Sequence, residues 1–134
     1  MKSVMDMVNA AKAEVENLSP AEAQRRVEED GALLVDIRDV RELERDGAVL
    51  GAWHVPRGML EFWIAPDSPY FKEKFAEDRQ FIIFCAGGLR SALATKVARD
   101  MGLAKAAHIE TGFGGWKSDG LPVVDYDTWK AHKS

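Results

Sequence analysis

The apolar residues of this chain change their rhythm along its length, and each rhythm predicts an element. Val4, Val8, Ala11, Val15 and Leu18 recur every three or four positions, the spacing of one helical face. The first stretch therefore reads as an amphipathic helix, packed on the domain or on a second copy of the chain. LSPAEAQRRVEEDG (18–31) predicts a second helix, with Ser19 suited to the N-cap, Pro20 to the first turn and Gly31 to the stop. ALLVDI (32–37) is a continuous apolar run of buried-strand length, and the charged RDVRELERDG (38–47) predicts a short exposed helix. GAWHVPRG (51–58) predicts a short edge strand cut off at Pro56, which cannot donate to a ladder. MLEFW (59–63) and SPYFKEKFAED (68–78) predict short helices in a loop-rich connection. FIIFC (81–85) is the strongest strand signal, SALATKVARDMG (91–102) predicts a helix ending at Gly102, and AAHIE (106–110) a last short strand. The glycine-rich TGFGGWKSDGLPV (111–123) follows.

Short apolar strands alternating with helices predict an α/β fold whose mostly parallel sheet is covered on both faces. Sites in such sheets form outside the carboxyl ends of the strands. Asp36 to Arg38, Cys85, and Glu110 to Gly112 are each expected at a strand end, and so at one rim.

Composition narrows the function classes. The 134 residues suffice for one domain with a real core. A formal charge of −4 without a dense basic stretch argues against a dedicated nucleic-acid binder. No apolar run approaches the roughly 20 residues a membrane helix needs. MKSVMDMVNAAKAEVENL lacks the apolar core of a signal peptide. The single cysteine cannot form an internal disulfide and suits a reducing compartment, so the expected location is cytoplasmic.

That cysteine sits in FIIFCAGGLRS (81–91), where a strand runs straight into a glycine-rich turn and then a helix. A turn of this form exposes backbone N–H groups that no helix carbonyl accepts. Glycines let the backbone curl into an anion-holding nest, and the helix N-terminus adds its positive end. Both effects favour thiolate over thiol, which makes the sulfur a nucleophile and lets the nest hold an anionic substrate against it. The bland alternative, a small buried hydrophobe, fits poorly with two glycines and an arginine in the next five positions. Cys85 with His54, His108 and His132 has no metal-ligand spacing, so neither metal nor cofactor is expected.

Four segments in order carry a resemblance: LLVDIRDVRELERDG, VLGAWHVPRG, CAGGLRS and TGFGGWKSDGLPV. From about Val15 to Val123 the chain resembles the single-domain rhodaneses, or rhodanese-like sulfurtransferases. The resemblance implies a five-stranded, mostly parallel sheet flanked by helices on both faces, its first strand near residues 15–18, and the N-terminal helix read from periodicity is extra to it. The implied division is a flanking helix (1–14), the rhodanese-like domain (15–124) and a C-terminal tail (125–134). Cys85 matches the family's catalytic cysteine, which takes a sulfane sulfur from a donor such as thiosulfate and passes it to cyanide or a thiol. Ala86, Gly87, Gly88, Leu89, Arg90 and Ser91 match the loop around the outer sulfur. Asp36 and Arg38 match a structural pair tying the rim to neighbouring loops, Glu42 is expected to pair with a nearby arginine, and Trp116 to pack beneath the loop. The implied partners are a small sulfur donor and acceptor, or a sulfur-relay protein, for a monomer or homodimer.

Positions 86–89 are Ala, Gly, Gly and Leu, where efficient thiosulfate users in the family often carry basic side chains. Arg90, with Arg57 from the PRG segment, is expected to supply the charge. Thiosulfate and a persulfide on a protein or small thiol both stand as donors. Cysteine phosphatases and arsenate reductases place five residues between Cys and Arg, whereas here there are four, a loop expected to be too tight for phosphate. A non-enzymatic alternative is a persulfide carrier or a redox or partner-binding module. Met59, Leu60, Phe62, Trp63 and Phe71 are expected mostly in the core, and Phe62 or Trp63 at the mouth would favour a partly apolar acceptor. His54 is expected near the rim as a hydrogen-bonded histidine. No residue is placed as a general base, and chemistry that starts from a thiolate requires none.

Overall fold

The computed structural model describes residues 1–133. A helix, α1 (Val4–Glu14), precedes the first strand, β1 (Glu16–Leu18). Asn17 closes that helix by donating its side-chain amide to the carbonyls of Lys12 and Val15 at 2.9 and 3.1 Å. Val15 and Leu18 therefore do not continue the helical face. Leu18 turns inward from β1 instead, because a strand alternates its side chains.

Helix α2 (Pro20–Asp30) starts where the Ser19 hydroxyl accepts from Glu22 N–H at 3.1 Å and ends at Gly31 in the left-handed region, φ 73°. β2 (Leu33–Asp36) leads into α3 (Val40–Asp46), whose capping box pairs Asp39 with Glu42. β3 (Trp53–His54) ends before Pro56, and α4 (Leu60–Ile64) and two short 3-10 turns fill the connection. β4 (Phe81–Phe84), α5 (Leu89–Asp100), β5 (Ala107–Ile109), α6 (Gly112–Ser118) and α7 (Tyr126–Ala131) complete the chain.

The five strands form one parallel sheet in the order β1-β5-β4-β2-β3. β4 lies at its centre, and all four of its residues are buried, because helices cover both faces. Ile82 and Phe84 point to the layer holding Phe113 and Trp116, while Phe81, Ile83 and Cys85 point to the layer under α4 and α5. Each such side chain contributes about 1.5–3 kcal/mol by leaving water, so β4 and the residue that follows it are rigidly placed. Val8 and Ala11 of α1 pack on Ala92 of α5.

Two elements depart from the sequence expectation. The glycine-rich segment carries a helix, α6, and within the stretch expected as a tail α7 packs Trp129 against Leu43 and Ala48. The Trp129 indole N–H donates to Ala52 carbonyl at 2.9 Å, which fixes α7 on the β3 side of the sheet. No helix among the described residues is long and apolar enough to cross a membrane.

Candidate active site

Cys85 is the first residue after β4, with its side chain 1% exposed. Its Sγ accepts two backbone hydrogen bonds, from Gly88 N–H at 3.2 Å and Ser91 N–H at 3.3 Å. The loop curls this way because its carbonyls are tied elsewhere. Cys85 C=O accepts from Phe113 N–H at 2.8 Å, and Ala86 C=O from Gly114 N–H at 2.9 Å. The start of α6 thus turns the loop's oxygens outward and leaves its amides facing the sulfur, an arrangement that stabilises an anion there. Glycine is required at two points of this contact. Gly88 has φ 97°, and a Cβ on it would overlap the Glu110 carbonyl oxygen. A Cβ on Gly112, at φ 67°, would lie 2.6 Å from the Ala86 carbonyl oxygen.

Behind the loop runs a chain of side chains, buried at Ser91 and His108 and reaching the surface at Asn17, that the sequence did not reveal. Ser91 Oγ lies 2.8 Å from His108 Nδ1, and His108 Nε2 lies 2.7 Å from Asn17 Oδ1. Since the Asn17 amide nitrogen donates to α1, its oxygen is the acceptor, and His108 must carry its proton on Nε2. Nδ1 then accepts from the Ser91 hydroxyl. Burial holds the ring well below its ordinary value, from 6.5 to about 4, with Lys12 adding to the effect. The neutral tautomer therefore persists at physiological pH. Because Asn17 cannot take a proton from Nε2, the chain positions Ser91 rather than moving charge.

Charged residues brace the rim. Arg38 and Asp36, both 1% exposed, form a bidentate pair with a shortest contact of 2.9 Å. Arg38 also donates to Gly47 C=O at 2.9 Å and lies 4.0 Å over the Phe113 ring, beside the amide that holds the Cys85 carbonyl. Glu42 accepts from Arg90 at 2.9 and 3.0 Å and from Asp39 N–H at 2.9 Å. The Arg90 hydrogen bond holds its carboxyl below the usual range, against the opposing effect of burial. Arg90 is held above its ordinary value, first by Glu42, with Cys85 adding to it.

Not every candidate converges. Arg57, expected to lend charge to the loop, is paired with Glu61 at 2.7 Å on a neighbouring turn. Trp63 stacks on Trp53 at 5.9 Å, and Phe62, 52% exposed, meets Tyr70 edge-on at 6.4 Å, so both are engaged away from the loop. Leu60 is buried in the same cluster as Cys85. His54 lies 2.7 Å from the Arg38 carbonyl through Nε2, a hydrogen-bonded rim histidine. Trp116 is buried, with its indole N–H donating to Pro122 C=O at 2.8 Å.

Known proteins resemble this chain in sequence and in overall fold. A sulfurtransferase from Allochromatium vinosum is 28% identical over 102 residues, which cover 76% of this chain and 87% of that protein. A structure of the polysulfide-sulfur transferase homodimer from Wolinella succinogenes matches at 33% identity and TM-score 0.71, covering 90% of this chain and 85% of that one. A protein of unknown function from Rhodopseudomonas palustris, described as a possible tyrosine phosphatase, matches at 49% identity and TM-score 0.86, covering 92% and 95%. The family model for the Rhodanese-like domain matches residues 19–119, which span the N-cap of α2 through α6, and the chain belongs to that rhodanese-like family, whose relatives here include sulfurtransferases.

Proposed function

We propose that the protein is a sulfurtransferase working through a persulfide on Cys85, with residues 86–91 as its binding loop. The observation that carries this reading is the pair of backbone amides, from Gly88 and Ser91, donated to the buried Sγ. The Cys85 thiolate attacks the outer sulfur of the donor. A new S–S bond forms as the donor's own bond to that sulfur breaks, and the electron pair leaves with the departing group, sulfite when the donor is thiosulfate. An acceptor nucleophile then attacks the outer sulfur and releases the thiolate. Amides placed around the sulfur stabilise the negative charge at each stage without reorganising.

The donor class follows from the loop's charge. Ala86, Gly87 and Leu89 are exposed and uncharged, and Arg90 is tied to Glu42. Thiosulfate therefore meets one engaged guanidinium and the amide nest, while a persulfide on a thiol or on a relay protein meets a surface it does not need to neutralise. Both are accepted as donors in this reading, and the absence of a dense cationic mouth favours the persulfide. One reduced cysteine fits a cytoplasmic setting, and the protein acts as a monomer or homodimer without cofactor, metal or nucleic acid.

A phosphatase reading deserves mention because the Rhodopseudomonas relative is described in that way. It fits this loop less well. Only four residues separate Cys85 from Arg90, and the rim carboxylates Asp36 and Glu42 are occupied by Arg38 and Arg90. Neither is placed to protonate a leaving oxygen.

Intact mass before and after incubation with thiosulfate, and separately with a small-molecule persulfide, tests the proposal. Gain of one sulfur atom on the parent, removed by a reducing agent and missing in Cys85→Ser, is expected. No gain from either donor, or an equal gain in Cys85→Ser, would overturn it. Repeated turnover with a small thiol separates the enzyme from a persulfide carrier, which would load once and release nothing to that thiol.

A further inference from the structure

A second concave site lies on the open edge of the sheet, away from the Cys85 loop. Its cleft, of about 370 Å³, is lined by three indoles, Trp53, Trp63 and Trp129, together with His54, Lys74 and Lys133. No residue of the 86–91 loop lines it. A cleft of this size is in the range that holds small organic ligands.

Its chemistry is specific. Trp53 and Trp63 present stacked rings 5.9 Å apart, and Trp53 and Trp63 are only half-buried although large and apolar. Flat aromatic walls favour a flat aromatic guest through stacking in addition to area burial. The Lys74 ammonium lies 5.1 Å from the Trp53 ring centroid, and the Lys133 ammonium 5.5 Å from that of Trp129. Among the described lining residues the formal charges are both positive, in a chain whose net charge is −4. The Lys74 ammonium, on a half-buried side chain held against an indole face, is partly stripped of water, which strengthens its attraction for an anion.

The backbone adds polar groups. Val55 N–H donates to Asp36 C=O at 2.9 Å, and β3 pairs in parallel register with β2 on one side only. His54, between the bonded positions, therefore directs its backbone N–H and C=O to the open edge. Its ring Nε2 donates to Arg38 C=O, which fixes the orientation of the ring beside the cleft. Aromatic walls, two cations and an edge amide converge on one space.

We propose that this cleft binds a small planar aromatic anion, a ring system bearing a carboxylate, sulfonate or phosphate group. The ring lies among the indoles and the anionic group meets Lys74 and Lys133. This site is independent of the sulfurtransferase reading, because it shares no lining residue with the loop and takes no part in the sulfur chemistry.

Titration with 1-naphthoate, followed by backbone and indole N–H chemical shifts, tests it against two controls: acetate, which has the charge without the ring, and 1-naphthalenemethanol, which has the ring without the charge. Saturable binding of naphthoate is expected at low-millimolar concentration or below, with shifts at the Trp53, Trp63 and Trp129 indoles. Both controls should bind at least about tenfold more weakly. The double variant Lys74→Glu/Lys133→Glu changes a half-buried and an exposed lysine outside the core clusters and the Cys85 loop, so it should fold and keep its sulfur chemistry while losing at least about tenfold in naphthoate affinity. No saturation, equal binding of the neutral alcohol, unchanged affinity in the double variant, or shifts centred on residues 85–91 would each overturn the proposal.

Discussion

Acid should destabilise this protein through His108, and the structure sets the size of the effect. The ring is fully buried between Ser91 and Asn17 and falls from 6.5 to about 4 in the folded state. The folded value lies below the unfolded one, so between these two pH values the unfolded chain binds a proton that the folded chain refuses. Stability is therefore fully present above about 6.5 and is lost as the pH falls toward 4. Each tenfold change in proton affinity is about 1.4 kcal/mol, so the loss is bounded at about 3.5 kcal/mol. Carboxylates held below their usual range, such as Glu16 and Glu42, add an acid-labile contribution of their own. A variant that keeps those carboxylates but cannot titrate at position 108 isolates the histidine. In His108→Gln the amide oxygen can accept from Ser91 and the amide nitrogen can donate to Asn17, which preserves both bonds. Urea unfolding at about pH 7 and about pH 4.5 should show the parent losing roughly 2 kcal/mol more than the variant over that interval. Equal losses in two proteins with equal m-values would refute both the neutral tautomer and the hydrogen-bonded chain built on it.

The loop and its braces make further claims. Gly88→Ala should cost more than about 2 kcal/mol in urea unfolding, since it adds left-handed strain to an overlap with the Glu110 carbonyl. Gly87→Ala, with open space around its Cβ and no positive φ, should cost less than about 0.5 kcal/mol and serves as the matched control. Glu42→Gln should release Arg90 toward the loop and lower the KM for thiosulfate by about threefold, with little change for an uncharged donor; a rise in KM would reverse this assignment. Inserting one glycine between Gly88 and Leu89 should slow persulfide formation by about tenfold or more, a loss of about 1.4 kcal/mol in transition-state stabilisation. Equal rates in two well-folded proteins, checked by circular dichroism, would mean that loop size does not select sulfur.

Much of the frame was legible because its signals are local. FIIF is apolar without alternation, and that is what a strand covered on both faces requires. Ser19, Pro20 and Gly31 mark the ends of α2 through backbone preferences that tertiary contacts did not override. The turn's free amides were legible too, since two glycines and a helix start follow the lone cysteine, and two of those amides donate to its Sγ. What remained hidden depends on partners distant in sequence. His108 read as one residue of a short strand; its role follows from Asn17, 91 positions earlier, and Ser91, 17 earlier. α6 lacks an apolar period of 3.6, and its N–H groups find their acceptors in the carbonyls of Cys85 and Ala86. α7 has one buried anchor, Trp129, whose pocket is built by Leu43 of α3, Ala48 and the Ala52 carbonyl just before β3. Arg57 was assigned by its place in a motif, while Glu61, one helical turn on, claims its charge.

The central claim is that sulfur travels through Cys85. Rapid-quench mixing with thiosulfate labelled in its outer sulfur, followed by peptide mapping, measures this directly. Label is expected on the Cys85 peptide at a rate no slower than turnover, with its loss to an added thiol acceptor at a comparable rate, and no labelled peptide or turnover in Cys85→Ser. Turnover that persists in Cys85→Ser, or that outpaces labelling of the Cys85 peptide, would contradict that claim.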